Sequence, residues 1–380
     1  MLYLKNFKIF RNKLFKGGAI IGSANASEQS LRFIRNMILT RILAPEVFGV
    51  MAIVLEINAF LDSFTEVGIK QAIIHHEQAR EKKFLNTAWC FAAVRSLILY
   101  MITFFIAPII ANFYDNLELV AIMRIAFLAI LFKGLMSIRA YIAIKDMKFN
   151  RWAIINNGGG ILGIVIAVSL AFYLENIWAL VIGFAAESFL RFLLSYIICP
   201  FLPSLSVSRK DFSSLYKYAM GMLGLPILTF IFMRIDVFVI GKLYSEYNLG
   251  LYSMSVTLAY IPVMFLSSVI SDIAMPHFSS LQNKNSELEN ALIKVTSPLT
   301  YFSFPIVVFI ILYSKSILII IYGKEYATVA IPFAILAVTT LFRLLSVPIA
   351  GMYMAIGEPA KHRYFAIIRA VNDHIYLSCC

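Results

Sequence analysis

Residues 85–112 carry a single charged side chain, Arg95, in a run otherwise dominated by apolar residues. A bilayer accepts such a run, because each spanning helix needs roughly 20 mainly apolar residues. Similar runs recur along the whole 380-residue chain. Hydropathy and helix breakers put spans at 17–40, 47–69, 85–112, 118–143, 152–174, 177–199, 214–240, 248–275, 291–321 and 327–356, and an eleventh starts near 364. A β-barrel would show short alternating strands instead. Composition agrees: 61% of residues are hydrophobic and 14% charged, with a mean hydropathy of +0.82, whereas soluble domains are about 25% charged. The expected fold class is all-α, a polytopic transmembrane helical bundle.

The formal net charge of +12 would suggest nucleic acid in a soluble protein. In a membrane protein, basic loops belong on the cytoplasmic side, against anionic headgroups, so nucleic acid is not expected as a partner and membrane lipids are. One set of loops collects 19 Lys and Arg, among them Lys82, Lys145 and Arg151, against four on the other side: Arg41, Lys242, Lys315 and Lys324. The N-terminus is therefore expected to be cytoplasmic, and the outward loops are short. The opening "MLYLKNFKIFRNKLFKGG" carries no cleavage signal and is expected to lie on the inner surface as a basic amphipathic segment. Cys90, Cys199, Cys379 and Cys380 show no metal-ligand spacing and no disulfide framework.

An internal repeat is visible. "TRILAPEVFGVM" (40–51) aligns with "GKLYSEYNLGLY" (241–252) at an offset of 201, pairing Arg41 with Lys242 and Gly49 with Gly250; the same offset pairs His76 with His277. "FNRWAII" (149–155) resembles "KHRYFAII" (361–368) at an offset of 212. Two parallel six-helix repeats around a central cavity are expected, one over 1–205 and one over 206–380. The second is expected to be incomplete, because "VNDHIYLSCC" at the end does not read as a clean span.

The first span is unusual. Asn25, Glu28, Arg32, Arg35 and Asn36 fall within roughly a 100° arc of the helix, and Glu28 precedes Arg32 by four residues, the favourable order for a pair. An Arg at mid-membrane costs about 2.5–3.5 kcal/mol on insertion scales, which a wet cavity relieves. The second span is expected to place Glu56, Asn58, Asp62, Ser63 and Glu66 on one side, with Ile57, Phe60, Leu61 and Phe64 on the other. Intramembrane ionisable groups point to a functional site, so Glu28, Arg32, Arg35, Glu56, Arg234 and Asp236 are the expected cavity residues. Lys133, Arg139 and Arg191 lie near helix ends and are expected to snorkel to the cytoplasmic surface; Asp62 and Glu66 are expected to cap the second span. The glycines of "NNGGG" (156–160) are expected to allow close helix packing rather than to act as a hinge.

"LTRILAPEVFGVMAIV" with "EVGIKQAIIHH", and "RIDVFVIGKLYSEYNLGLYSMSVTL" with Asp236, Gly241, Gly250 and Tyr252, resemble the signatures of the bacterial polysaccharide or lipid-linked oligosaccharide flippases. That family is a branch of the multidrug/oligosaccharidyl-lipid/polysaccharide exporter superfamily. The resemblance implies an inner-membrane protein that moves undecaprenyl-diphosphate-linked repeat units from the cytoplasmic to the periplasmic leaflet by alternating access. The product would serve O-antigen and lipopolysaccharide, capsule or exopolysaccharide, with other polysaccharide-assembly proteins as further partners. Arginine suits a diphosphate because its planar fork donates several hydrogen bonds and stays charged.

An enzyme of the same pathway is the first competing reading, but no outward loop is long enough to carry chemistry, and no catalytic residues are expected. A cation-coupled multidrug exporter of the same superfamily is the second, and it would favour carboxylates over Arg32 and Arg35. No cofactor or metal is expected; Glu28, Glu56 or Asp236 could take a coupling proton or Na+, and the sequence does not decide between them.

Overall fold

The computed structural model describes residues 22–23, 26–65, 73, 79–222, 235–281 and 285–356. The N-terminal basic stretch, Asn25, Glu66, His76, Arg234 and everything after 356 lie outside the described residues. Every described element is helical. In chain order they are α1 (26–39), α2 (Pro45–Thr65), α3 (Lys82–Phe113), α4 (Glu118–Ala126), α5 (Leu128–Gly134), α6 (Arg139–Lys145), α7 (Phe149–Leu174), α8 (Trp178–Ile198), α9 (Arg209–Met222), α10 (235–243), α11 (Glu246–Ser280), α12 (Asn285–Leu312), α13 (Ser314–Ile321) and, after a short 3-10 turn at Lys324–Val329, α14 (Ala330–Ala355). Among the described residues, five helices are long and apolar enough to cross a membrane: Lys82–Phe113, Phe149–Leu174, Trp178–Ile198, Ser286–Leu312 and Lys324–Tyr353. The chain is a polytopic helical membrane protein. Its compact units are Met1–Gly250 and Leu251–Cys380.

Local chemistry sets the helix ends. Pro45 opens α2, where a missing N–H costs nothing, and Glu46 follows in its first turn, where the helix dipole favours an anion. The connections after α3 and α7 use one device twice. Asp115 (φ 57°) and Glu175 (φ 48°) take left-handed backbone to stop one helix. The following Asn then starts the next: Asn116 Oδ1 accepts from Glu118 N–H at 2.8 Å, and Asn176 Oδ1 from Trp178 N–H at 3.1 Å.

The span expected over 118–143 is not one helix. It breaks into α4, α5 and α6, and α6 is bent by 59° from the α4–α5 pair. The bend is chemically stabilised by α8: Ser137 N–H, freed from the helix ladder, donates to Ser195 Oγ at 2.9 Å, and Ser137 Oγ donates to the Cys199 carbonyl at 2.6 Å. The span expected over 291–321 also breaks, at Tyr313, between α12 and α13.

Two close approaches organise the first unit. Along α7, Gly159, Gly163, Ala167 and Ala171 recur every four residues and are all buried. They form a small-residue stripe that lets α8 pack backbone-close. A Cβ on Gly163 would overlap Glu187, one on Gly159 would overlap Arg191, and one on Gly183 of α8 would overlap Ala167. The glycines of "NNGGG" are thus packing residues. The second approach joins the starts of α2 and α11, and it is reciprocal. A Cβ on Gly49 would overlap the Glu246 carbonyl, and one on Gly250 the Pro45 carbonyl. Gly49 pairs with Gly250, and Pro45 with Glu246, at the 201-residue offset, so sequence-equivalent positions meet each other as across a local two-fold axis. Around this crossing Lys242 reaches Asp115 at 2.9 Å, and Asn116 Nδ2 donates to Glu246 Oε1 at 2.6 Å.

The crossing leaves no room for a methyl group. Gly49→Ala or Gly250→Ala should each lower the unfolding free energy by at least about 2 kcal/mol, read as membrane abundance and the thermal stability of the extracted protein. Gly351→Ala is the control: a Cβ there meets nothing within 4 Å, and removing a helical glycine should be neutral or stabilising by up to about 1 kcal/mol. Equal behaviour of all three variants would contradict the crossing.

Candidate functional site

Where α7 packs on α8, the Glu187 and Arg191 side chains of α8 pass over the glycines of α7 to reach α1. There they meet a matching sequence. α1 carries Glu28 and Arg32, and α8 carries Glu187 and Arg191, each a Glu followed four residues later by an Arg. The two pairs interlock antiparallel. Glu28 Oε1 accepts from Arg32 Nη2 at 3.0 Å and from Arg191 Nη2 at 2.9 Å. Glu187 Oε1 accepts from Arg191 Nη2 at 2.8 Å and from Arg32 Nη2 in a shorter contact. Each guanidinium Nη2 is shared between two carboxylates, and each carboxylate between two guanidiniums. The Glu187 side chain is only 7% exposed. Arg191 Nε is buried and has no hydrogen-bond partner among the described residues. Gly160 lies beneath the square: a Cβ there would sit 3.5 Å from Arg191 Nη2 and 3.9 Å from Glu28 Oε1.

The square forms one wall of a cavity of about 290 Å³ whose lining residues all belong to the first unit. On another side, Asp62 Oδ2 of α2 accepts from Lys133 Nζ of α5 at 3.1 Å and from Asn58 Nδ2 at 3.3 Å. Ala129, Met136 and Phe184 supply apolar wall, and Ser188 a hydroxyl. The remaining wall is formed by Tyr141, Trp152 and Asn156; the two rings lie 5.6 Å apart, tilted by 39°. The cavity therefore holds three cations, Arg32, Lys133 and Arg191, against three carboxylates, Glu28, Asp62 and Glu187. Among the described residues no group of three or more His, Cys, Asp and Glu is placed to hold a metal ion.

The expected site residues divide. Glu28 and Arg32 come together in the cavity wall. Arg35 does not line it: its Nε and Nη2 bond Asn36 Oδ1 at 3.1 and 3.0 Å. The polar arc of α1 is wide enough that Arg35, about 60° around the helix from Arg32, falls outside the wall. Glu56 is half-buried on α2 but does not line the cavity. It stands about 200° from Asn58 around the helix, so Asn58 and Asp62 face the cavity and Glu56 does not. Asp236 is half-buried on α10, away from this cavity, and Arg234 lies outside the described residues. Lys133 and Arg191 do not snorkel outward, and Asp62 does more than cap: all three line the cavity. Each cation is held there by opposite charge: Lys133 by Asp62 at 3.1 Å, and Arg191 by Glu28 and Glu187 at 2.9 and 2.8 Å. Glu187 was missed by sequence reasoning, although its Glu-x-x-x-Arg spacing with Arg191 repeats that of Glu28 and Arg32 within an apolar span.

A closed square of buried charges should behave as one unit. Glu187→Gln leaves two guanidiniums facing one carboxylate and should cost about 3 kcal/mol. Glu187→Gln with Arg191→Gln leaves the neutral Glu28–Arg32 pair and should cost less than the sum of the two single changes. Thermal unfolding of the four proteins in one detergent measures this, and strict additivity would show that the charges act independently.

Comparison with known proteins follows the same lines. In sequence the chain is 21% identical over 303 residues to the teichuronic acid biosynthesis protein TuaB of Bacillus subtilis, covering 79% of this chain and 62% of TuaB. It is 24% identical over 347 residues to the succinoglycan biosynthesis transport protein ExoT of Rhizobium meliloti, covering 90% and 69%. It is 20% identical over 354 residues to the lipopolysaccharide biosynthesis protein WzxC of Escherichia coli, covering 91% and 70%. The chain thus spans about two thirds of the length of these relatives. In structure it is similar to the lipid II flippase MurJ in an inward closed conformation, with a TM-score of 0.74 at 17% identity over 89% of this chain and 76% of MurJ. It is also similar to an inward-facing multidrug resistance MATE transporter, with a TM-score of 0.66 at 14% identity over 92% of this chain and 88% of that one. Residues 38–331 match the polysaccharide biosynthesis protein family, and the chain belongs to that family.

Proposed function

We propose that this protein moves a lipid-linked oligosaccharide, an undecaprenyl-diphosphate-bearing repeat unit, from the cytoplasmic to the periplasmic leaflet for surface polysaccharide assembly. The observation that carries the reading is the paired Arg32 and Arg191 at a cavity inside apolar spans, with Arg191 Nε buried and lacking a hydrogen-bond partner among the described residues. An unfilled guanidinium donor calls for an acceptor, which a diphosphate supplies and a cationic drug does not. The names of ExoT and WzxC, a transport protein and a lipopolysaccharide biosynthesis protein, support the same reading. So does the fold of MurJ.

Because each cation in the cavity is already balanced, binding is an exchange. The diphosphate replaces Glu28 and Glu187 at the two guanidiniums, and the displaced carboxylates are then where a coupling proton or sodium ion would go. The sugar occupies the polar cavity, and the acyl tail stays in lipid. Loading from the cytoplasmic side fits the basic loops, whose charge favours that side and which lie near the Tyr141–Trp152 end of the cavity: Arg80 pairs with Asp146 at 2.7 Å, and Arg139 donates to the Pro200 carbonyl at 3.0 Å. Alternating access between two repeats would release the load outward.

The test is lipid-linked oligosaccharide on the cytoplasmic side of cells whose own transporter is deleted. The wild-type protein should clear it. Arg32→Ala with Arg191→Ala, at equal membrane abundance, should clear it about tenfold more slowly or worse, since each charge-assisted hydrogen bond contributes about 1.5–3 kcal/mol. Arg35→Ala should clear it normally. Normal clearance by the double variant would remove the arginines from the path. Failure of the wild type to clear it would overturn the substrate assignment.

A further inference from the structure

The cavity has a second pole that the arginines do not explain. Trp152, Asn156 and Gly160 follow one another at four-residue spacing, so they form one stripe along the face of α7. Gly160 lies under the Arg191–Glu28 pair, and Trp152 stands two helical turns away, roughly 12 Å along the axis. At that end Trp152 meets Tyr141 of α6, and both rings line the cavity. Between the rings and the charges lies the Asn156 amide, also in the lining.

Aromatic rings near a helix end often belong to the interfacial belt, where they face headgroups. These two are half-buried and line the polar cavity, and each also packs against a buried apolar cluster: Trp152 against that of Met136, Ala140, Ala143, Ile155 and Cys199, and Tyr141 against that containing Ile138. An aromatic surface beside a side-chain amide matches the two sides of a sugar ring, an apolar C–H face and a rim of hydroxyls.

We infer that Tyr141, Trp152 and Asn156 form a saccharide subsite: a sugar ring stacks on the Tyr141–Trp152 wall and bonds Asn156 while the diphosphate of the same molecule is held at Arg32 and Arg191. This rests on the proposed substrate class and adds where the sugar lies. The roughly 12 Å between the poles suits a short oligosaccharide rather than a bare diphosphate. The subsite reads the presence and face of a sugar, and the arginines read the charge.

The test compares two probes on the protein in lipid nanodiscs: a short-chain prenyl diphosphate without sugar, and the same prenyl diphosphate carrying a disaccharide. The wild type should bind the glycosylated probe more tightly than the bare one. Trp152→Ala should lose that advantage, about three- to tenfold, and bind the bare probe as the wild type does. Trp152→Phe should keep most of the advantage, and Asn156→Ala should lose part of it. An unchanged ratio in Trp152→Ala, or an equal loss for both probes, overturns the subsite while leaving the arginine site standing. A wild type that binds the bare probe without favouring the glycosylated one overturns the subsite in the same way. A wild type that binds neither probe overturns the subsite together with the reading it rests on.

Discussion

Four charges from two helices, with Arg32 and Glu187 lying 155 residues apart in sequence, set how the first unit is assembled. Neither α1 nor α8 could carry its Glu-x-x-x-Arg pair to lipid without a cost of several kcal/mol. Placed face to face, the pairs cancel each other, and every carboxylate oxygen used is shared. Such an arrangement is weak as a source of net stability, because desolvation offsets most of the attraction. Its strength is positional: removing any one member leaves a buried charge exposed to the others, so the helices have one register in which the account closes.

That register depends on residues with no charge at all. The square forms only because Gly159 and Gly163 let the backbone of α8 come close to α7, which fixes where Glu187 and Arg191 leave the helix. Larger residues there would push α8 outward and separate its carboxylate and guanidinium from Glu28 and Arg32. The break at 135–138 makes a complementary contribution. By turning α5 and α6 away from a straight line, it brings Lys133, Met136 and Tyr141 onto one cavity, and Ser195 and Cys199 of α8 satisfy the polar groups the bend frees. One helix, α8, therefore supplies two of the site's charges, Glu187 and Arg191, and partners for the bend that shapes it.

Much of this was legible in the sequence, and the reason for each success or failure is physical. The membrane class follows from long apolar runs, which no other environment accepts. Glu28 and Arg32 stand out because charge in such a run is costly wherever it occurs. Gly49 and Gly250 are visible as a repeated pair, but not that they touch, since a repeat says nothing of contact. Arg35 and Glu56 stay off this cavity for different reasons: the cavity takes only part of the polar arc of α1, and Glu56 stands on the other side of α2 from Asn58 and Asp62. Lys133 and Arg191 were misplaced because a position near a helix end says nothing of the carboxylates, Asp62 for one and Glu28 for the other, that neighbouring helices bring to meet them. Glu187 could have been found by asking which other apolar span repeats the Glu-x-x-x-Arg spacing.

The charge count of the cavity constrains any transport cycle. Three cations and three carboxylates leave the empty site neutral, so the bundle can close around it without burying net charge. An entering diphosphate breaks that balance: the guanidiniums gain a new anion, and Glu28 and Glu187 lose their counterions while still enclosed. Two unpaired carboxylates beside a diphosphate are far costlier than the starting square. The loaded cavity can close only if positive charge enters with the substrate, as protons on the freed carboxylates or as a bound cation. On the proposed reading, coupling to an ion is then a consequence of how the empty site is neutralised and needs no separate ion site.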